Sequence, residues 1–280
     1  MKGIRITESL IAEFEAGLKS EEKSAGTREK YIRDITAFSR WLDGREASKE
    51  TAIEWKDRLL QDNYAPVTVN SMISSVNCFF RFCEIPAKIK FVRIQKNLFR
   101  EKSRELTKEE FLRLVETAEL QGKKRLSLLM ETLCATGIRV SEIKYITLEA
   151  ARMGMTTVSL KGKVRTIMLP AKLCRKLIKY AKKEKIASGE IFLTGNGRSM
   201  SRGQIWTEMK RLSKSAGVEA TKIFPHNLRH LFAATFYRIY KDVVKLADVL
   251  GHSSIETTRI YLASTGEEHR QMLEQMRLVL

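Results

Sequence analysis

Two arginines, three histidines and a tyrosine are spaced along the second half of this chain in a way that suits chemistry on an anion. Pro225-His226-Asn227-Leu228-Arg229-His230 is one string. On a helix, residues three apart share a face, so His226 and Arg229 point together. Leu250-Gly251-His252 carries another of the chain's four histidines, and Tyr261 follows nine residues later. Upstream, Thr136-Gly137-Ile138-Arg139-Val140-Ser141-Glu142 places an arginine just after a glycine break. A guanidinium is a planar fork of donors that matches phosphate or carboxylate oxygens. An imidazole exchanges protons near neutral pH. Taken singly, each residue has an ordinary reading as a surface charge, a solvated helix face or a packed ring. Taken together, in this order and with a lysine-bearing hairpin between them, the ordinary reading is hard to sustain.

The charge points the same way. The 280 residues include 51 Lys plus Arg against 33 Asp plus Glu, a net charge of +18. At 43% hydrophobic the chain buries a real core, which excludes a wholly disordered basic tail. Such a charge predicts a polyanionic partner, nucleic acid before an anionic membrane surface. The charge is uneven. Residues 1–85 hold 13 basic and 14 acidic side chains, and 105–280 hold 31 and 18. Between them, 86–104 carries seven basic residues against Glu101 alone. A near-neutral segment is thus joined to a basic one by a basic strap, which marks a domain boundary.

No window approaches the ~18 apolar residues of a membrane span, and the N-terminal stretch lacks the apolar core of a signal peptide. The expectation is a cytoplasmic, nucleoid-associated protein with no membrane partner. Cys78, Cys83, Cys134 and Cys174 form no CxxC pair and stand at no zinc-ligand spacing from a histidine, so reduced thiols and no metal are expected. His230 reads as a helix neighbour of the site and His269 as a surface residue.

The elements that must position these residues are mostly helical. Apolar periodicity predicts helices near 7–19, over 28–42 and 49–62, and from Pro66 onward, a small four-helix unit with its aromatic stripes in the core. Thr107-Lys108-Glu109-Glu110 is a capping box before another helix. Further helices are expected over 124–136, 171–187, 201–216, 226–240, 242–250 and 254–264. Residues 155–169 change period to two β-rich arms around Gly162, a hairpin ended by Pro170. The tail, 267–280, places Met272, Leu273, Met276, Val279 and Leu280 on one face.

Four strings, TGIRVSEI at 136–143, SLKGKVRTIMLP at 159–170, HNLRH at 226–230 and LGHSSIETTRIY at 250–261, resemble the tyrosine recombinase (phage integrase) family. APVTVNSMISSVNCFFRFC at 65–83 is similar to that family's core-binding domain, and the resemblance covers about residues 10–265. It implies a mainly α, two-domain DNA clamp: a helical core-binding domain, 1–85; the basic linker, 86–104; and an α-rich catalytic domain with a small antiparallel sheet, 105–265. It implies that 266–280 is a C-terminal tail helix docking on a neighbouring protomer, the alternative being that it folds back on its own domain. The chain looks like the compact, Xer-like members that lack an arm-binding domain.

The chemistry the resemblance implies is cleavage of one DNA strand by a tyrosine, leaving a 3′-phosphotyrosine and a free 5′-hydroxyl that later attacks in reverse. The phosphodiester energy is kept in the covalent link, so no cofactor, metal or ATP is expected. Tyr261 is the implied nucleophile, with Tyr237 or Tyr240 next in line. A free phenol has a pKa of about 10 and is about a thousandth ionised at pH 7, a gap of roughly 4 kcal/mol that the site must offset. His226 is the implied base or phosphate partner. Arg139 and Arg229 would hold the non-bridging oxygens, with His252 as a further donor. Lys161 would protonate the leaving 5′-oxygen, with Lys163 as the alternative, and Glu142 would buttress Arg139.

The implied partners are duplex DNA with inverted-repeat core sites and further copies of the chain, a dimer per site and a tetramer in the synapse. Strap residues Lys88, Lys90, Arg93 and Lys96 are candidate phosphate contacts. If the strap neutralises five phosphates, log K should fall with log salt at a slope of about −4 to −5. Arg28, Lys30, Arg33, Arg202, Lys210, Arg211 and Lys214 are further candidates. The outcome of strand exchange, whether integration, excision, inversion or resolution, stays open. The alternative functions are relaxation of the type IB topoisomerase kind and a non-catalytic DNA-binding regulator.

Overall fold

A computed structural model describes residues 3–94, 104–160, 163–252, 254–259, 261, 270 and 274–276. Contacts divide the chain into two compact units, Met1–Lys96 and Asn97–Leu280.

The first unit is four helices: α1 (Glu8–Ser20), α2 (Ala25–Leu42), α3 (Lys49–Gln61) and α4 (Pro66–Phe82). Thr7 caps α1 and Ser48 caps α3, each accepting a backbone N–H with its hydroxyl. The aromatic stripes face inward. Phe38 packs on Trp55 with ring centroids 4.8 Å apart, and Phe14 meets Phe79 edge-on at 5.2 Å. All four rings are buried, as is Phe80.

The same core holds one carboxylate. Asp34 is buried, accepts from the Ser75 hydroxyl at 2.8 Å and pairs with the Lys30 ammonium at 2.9 Å. Lys30, one of the candidate DNA contacts, also donates to Ser75.

The basic strap is not a free linker over its first half. Asn70 and Asn77 lie seven residues apart on α4 and so share a face. Asn77 donates to the Ile89 carbonyl at 3.0 Å and accepts its N–H at 2.8 Å. Asn70 does the same for Val92, at 2.9 and 2.7 Å. The two amides imitate a neighbouring β-strand, and Ile89 enters the core. Residues 85–92 therefore belong to the first unit, while Lys88, Lys90 and Arg93 stay exposed. Lys96 lies outside the described residues.

The second unit begins with α5 (Lys108–Leu120), whose capping box forms with Thr107 and Glu110. α6 (Lys124–Thr136) follows, and a 3-10 turn spans Val140–Tyr145. A short α7 (Leu148–Met153) leads into β1 (Met155–Leu160) and β2 (Lys163–Met168). The strands pair antiparallel with Val158 opposite Arg165 and Leu160 opposite Lys163. Val158 and Ile167 are buried while Val164 and Met168 are exposed, so one face of the hairpin lies on the core.

α8 (Ala171–Lys183), α9 (Arg202–Lys210), α10 (Ser213–Ala216), α11 (Pro225–Tyr240), α12 (Val243–Leu250) and α13 (Ile255–Arg259) complete the unit. α6 and α11 pack together at its centre.

Two expected helices differ in extent. α8 stops at Lys183 rather than 187, because Lys185 turns left-handed and the Ile186 N–H closes onto the Ala181 carbonyl. The stretch 201–216 is two helices broken at Arg211-Leu212, a turn that buries both Leu212 and Ala216. α13 is described over Ile255–Arg259, and residues 260 and 262–264 of the expected helix, like most of the expected tail helix, lie outside the described residues.

Replacing Lys30 with Met should weaken the first unit by about 1–3 kcal/mol, since it leaves a buried carboxylate short of its cation. Arg33→Met should cost almost nothing, because that side chain is 74% exposed. Amide hydrogen exchange in α2 and α4 would read both changes; equal protection in the two variants would refute the assignment.

Candidate active site

α6 ends on Gly137, in a left-handed conformation at φ +62°. A Cβ there would come within 2.4 Å of the Phe232 ring, so only glycine lets α6 stop against α11. The turn that follows presents Arg139 as its capping residue. Glu142, fully buried, accepts the Arg139 backbone N–H at 2.8 Å with one oxygen and its guanidinium at 3.1 Å with the other.

Arg229 projects from α11 and is the largest fully buried side chain in the described structure. It donates to the Gly137 carbonyl, to the Leu250 carbonyl at 2.7 Å, and to His252 Nε2 at 2.9 Å. A guanidinium has no acceptor, so Nε2 carries the lone pair and Nδ1–H donates to the Thr258 hydroxyl at 2.9 Å. Thr258 is itself buried, and its carbonyl takes the Tyr261 N–H at 3.0 Å.

Tyr261 is buried beside Ala233, Leu246 and Leu250. Its ring stacks on His252 with centroids 5.9 Å apart and planes 12° off parallel, and it meets His230 edge-on at 4.6 Å. The Tyr261 phenol lies close enough to Arg229 to favour its charged form. His226 lies on the far side of His230, again edge-on at 4.6 Å. Four rings, His226, His230, Tyr261 and His252, thus run in one contiguous row around Arg229.

At the His226 end of this row is a cavity of about 650 Å³, lined by Arg139, Arg202, Trp206, His226 and Arg229 among others. Burial, and then the cations of the site, depress the neighbouring imidazoles. Desolvation and then Arg229 push His252 down to about 4, with Arg139 and Arg165 adding to the effect. Desolvation, Arg229, Arg202 and Arg139 lower His226 below its ordinary 6.5. Burial and Arg139 bring Arg229 down to about 10, partly offset by Tyr261, so it stays a cation at neutral pH. A cavity walled by fixed guanidinium donors, with neutral imidazoles and a phenol beside it, can hold a tetrahedral anion and move a proton.

Five of the six expected catalytic residues, Arg139, His226, Arg229, His252 and Tyr261, therefore converge, with Glu142 beneath Arg139. Lys161 lies outside the described residues. Among the expected DNA contacts, Arg202 opens α9 and lines the cavity. Arg28 donates to the Lys23 carbonyl at 3.1 Å. Lys210 lies over the Trp206 ring at 4.5 Å, both on the exposed surface of α9.

Sequence reasoning missed Arg165 and Thr258 and gave His230 too small a part. Arg165 had a signal: strand alternation places it on the same inward face as Ile167, where a charge needs a partner. Thr258 had none, because a buried threonine is ordinary until its neighbour proves to be an imidazole.

Residues 104–268 match the phage integrase family model, and residues 11–84 match the phage integrase N-terminal SAM-like domain. Tyrosine recombinase XerA of Thermococcus kodakarensis is 27% identical over 96% of each chain. Tyrosine recombinase XerD of Staphylococcus haemolyticus is 28% identical over 96% of this chain and 98% of its own. In fold, a lambda integrase dimer bound to a COC′ core site superimposes with a TM-score of 0.71 at 20% identity, covering 93% of this chain and 96% of the other. The chain belongs to the phage integrase family. Its activity is that class's: it is a tyrosine recombinase, an enzyme of site-specific DNA recombination. No described helix is long and apolar enough to cross a membrane.

The depressed imidazoles make the DNA-free protein acid-sensitive. An unfolded histidine takes its proton near pH 6.5, whereas folded His252 resists until about 4. Between those values the unfolded chain binds more protons, so stability should fall as pH drops from about 6.5 to 4. Thermal unfolding across that range should show the slope, and His252→Gln should flatten it. A slope unchanged in the variant would assign the proton uptake to another group.

Proposed function

We propose that the chain cleaves and rejoins duplex DNA through a 3′-phosphotyrosine formed by Tyr261. The observation that carries this reading is the convergence of the phenol, Arg229 and His252 beside a cavity walled by Arg139 and His226. The phenol oxygen forms a bond to phosphorus as the bond from phosphorus to the 5′-oxygen breaks. The phenolic proton passes to His226, directly or across His230, since both rings are in its row. His226 suits that role because its lowered pKa leaves it neutral and ready to accept.

Arg139 and Arg229 hold the non-bridging oxygens, where negative charge builds up in the pentacoordinate state. His252 must give up its bond from Arg229 before Nε2 can donate to the same phosphate. A bound anion favours that exchange, because it draws Arg229 towards itself and stabilises a protonated imidazole. Lys161 protonates the departing 5′-oxygen. Arg202, Lys88, Lys90, Arg93 and Lys96 contact backbone phosphates of a core site built as an inverted repeat, with one protomer on each half.

The assembly reading is a dimer on each site and a tetramer on two. Support comes from an apolar groove of about 640 Å³ between α5, β2 and α11, lined by Phe111, Leu112, Phe232, Phe236, Ile239 and Tyr240. Leu112, Ile239 and Tyr240 are well exposed there. The apolar face of the 267–280 tail, supplied by a neighbouring copy, is the occupant this groove suits.

Incubating the chain with nicked duplexes whose flanking arms are randomised should yield SDS-stable protein–DNA adducts of defined sequence. Tyr261→Phe should give none while still retaining duplexes on a filter; adducts surviving in that variant would remove Tyr261 from the role. Lys161→Ala should cleave the captured duplex at least about 100-fold more slowly, and a 5′-thiol leaving group should restore the rate, since a thiolate leaves without a proton.

Ile239→Asp should leave single-site adduct formation intact but abolish two-site complexes in sedimentation. Unchanged two-site complexes would place the tail elsewhere.

A further inference from the structure

Arg165 has no part in the chemistry described so far, yet its guanidinium is closely tied into the site. It lies on the inward face of β2, with a side chain only 13% exposed. One of its Nη atoms makes a very short bond to Glu142 Oε2, and the other donates to the Val249 carbonyl at 2.7 Å. Its Nε is buried with no partner among the described residues, so the grip is held at the cost of one unmade bond. Gly251 packs directly against it: a Cβ there would come within 2.5 Å of the Arg165 Cδ.

Glu142 is thus one buried carboxylate divided between two cations. Oε1 takes the Arg139 guanidinium, and Oε2 takes Arg165 together with the Arg139 backbone N–H. We propose that Arg165 is a positioning residue that keeps Glu142 from neutralising Arg139, so that the Arg139 fork stays available to the scissile phosphate. With Arg165 gone, the buried carboxylate has a single cation left and closes on it with both oxygens, the geometry a guanidinium prefers. The buttress then becomes a competitor for the phosphate. A lysine at 165 would keep the charge, but a single ammonium cannot reach Glu142 and Val249 as a fork does. This inference rests on the reading of Arg139 as a phosphate ligand.

The test compares wild type, Arg165→Met and Arg165→Lys on the duplex recovered by covalent capture. Each is assayed with the ordinary scissile phosphate and with one non-bridging oxygen replaced by methyl, which removes the charge Arg139 must meet. Arg165→Met should be slowed about 100-fold on the charged phosphate, the scale of losing one preorganised donor, and hardly at all relative to wild type on the neutral one. Arg165→Lys should fall between. Equal losses on both substrates would mean that Arg165 only holds the fold together, and no loss on either would also overturn the proposal.

If wild type captures no duplex, the phosphate reading fails first, and a crystal structure of DNA-free Arg165→Met still decides the geometry. Glu142 bridging both Nη atoms of Arg139 supports the proposal, and an unmoved Arg139 refutes it. Should the methionine variant not fold, Arg165→Lys carries the same comparisons.

Discussion

Three arginines from three different elements donate to three consecutive carbonyls at the end of α12. Arg165 of β2 takes Val249, Arg229 of α11 takes Leu250, and Arg139 of the turn after α6 reaches Gly251 at 3.4 Å. The last carbonyls of a helix lack intrahelical partners and carry the negative end of its dipole. Here they act as the fixed anion against which the forks are set. The helix gains its missing donors, and the guanidiniums gain an orientation that leaves other N–H groups free for a substrate. Three cations gathered at this helix end against a single carboxylate, Glu142, leave the site positive, which suits it to a phosphate.

Because α12 ends at this point, His252 follows directly, and the same web extends to the nucleophile. Arg229 donates to the His252 Nε2, the His252 Nδ1–H donates to the Thr258 hydroxyl, and the Thr258 carbonyl takes the Tyr261 N–H. Phenol, imidazole and guanidinium are thereby held in fixed relation before any DNA arrives. Apart from the exchange of the Arg229–His252 bond for the phosphate, such preorganisation limits the reorganisation that electrostatic stabilisation requires. The row of rings from His226 through His230 and Tyr261 to His252 follows from the same placement. Burial, and then the cations around them, lower the pKa of the two imidazoles at the ends of that row, and His226 is the one placed to take a proton.

Much of this was legible in the linear chain. The six-residue string around Arg229, the glycine before Arg139 and the leucine-glycine before His252 fixed residue types at spacings that belong to helix starts and ends. Helix spans such as 124–136 followed from apolar period, and the capping box at Thr107 from local hydrogen-bonding chemistry. The strap was read as a linker because charge is visible in sequence, whereas the grip of Asn70 and Asn77 on Ile89 and Val92 is not. An asparagine on a helix reads as solvated until another backbone lies against it. Arg165 could have been suspected from its inward strand position, but its partners on Glu142 and Val249 lie 23 and 84 residues away.

By itself, then, the sequence determined the chemical inventory, the order of helices and hairpin, and the uneven charge that names a polyanion. These depend on short-range rules of spacing, capping and composition that a reader can apply within a few residues. Only the tertiary structure decided which cation faces which carbonyl, that Glu142 serves two arginines and not one, and that Tyr261 lies buried against His230 and His252. Those outcomes are set by packing among α6, β2, α11, α12 and α13. Hydrogen bonds across such distances in the chain have no local signature, because either partner alone satisfies the rules of its own element.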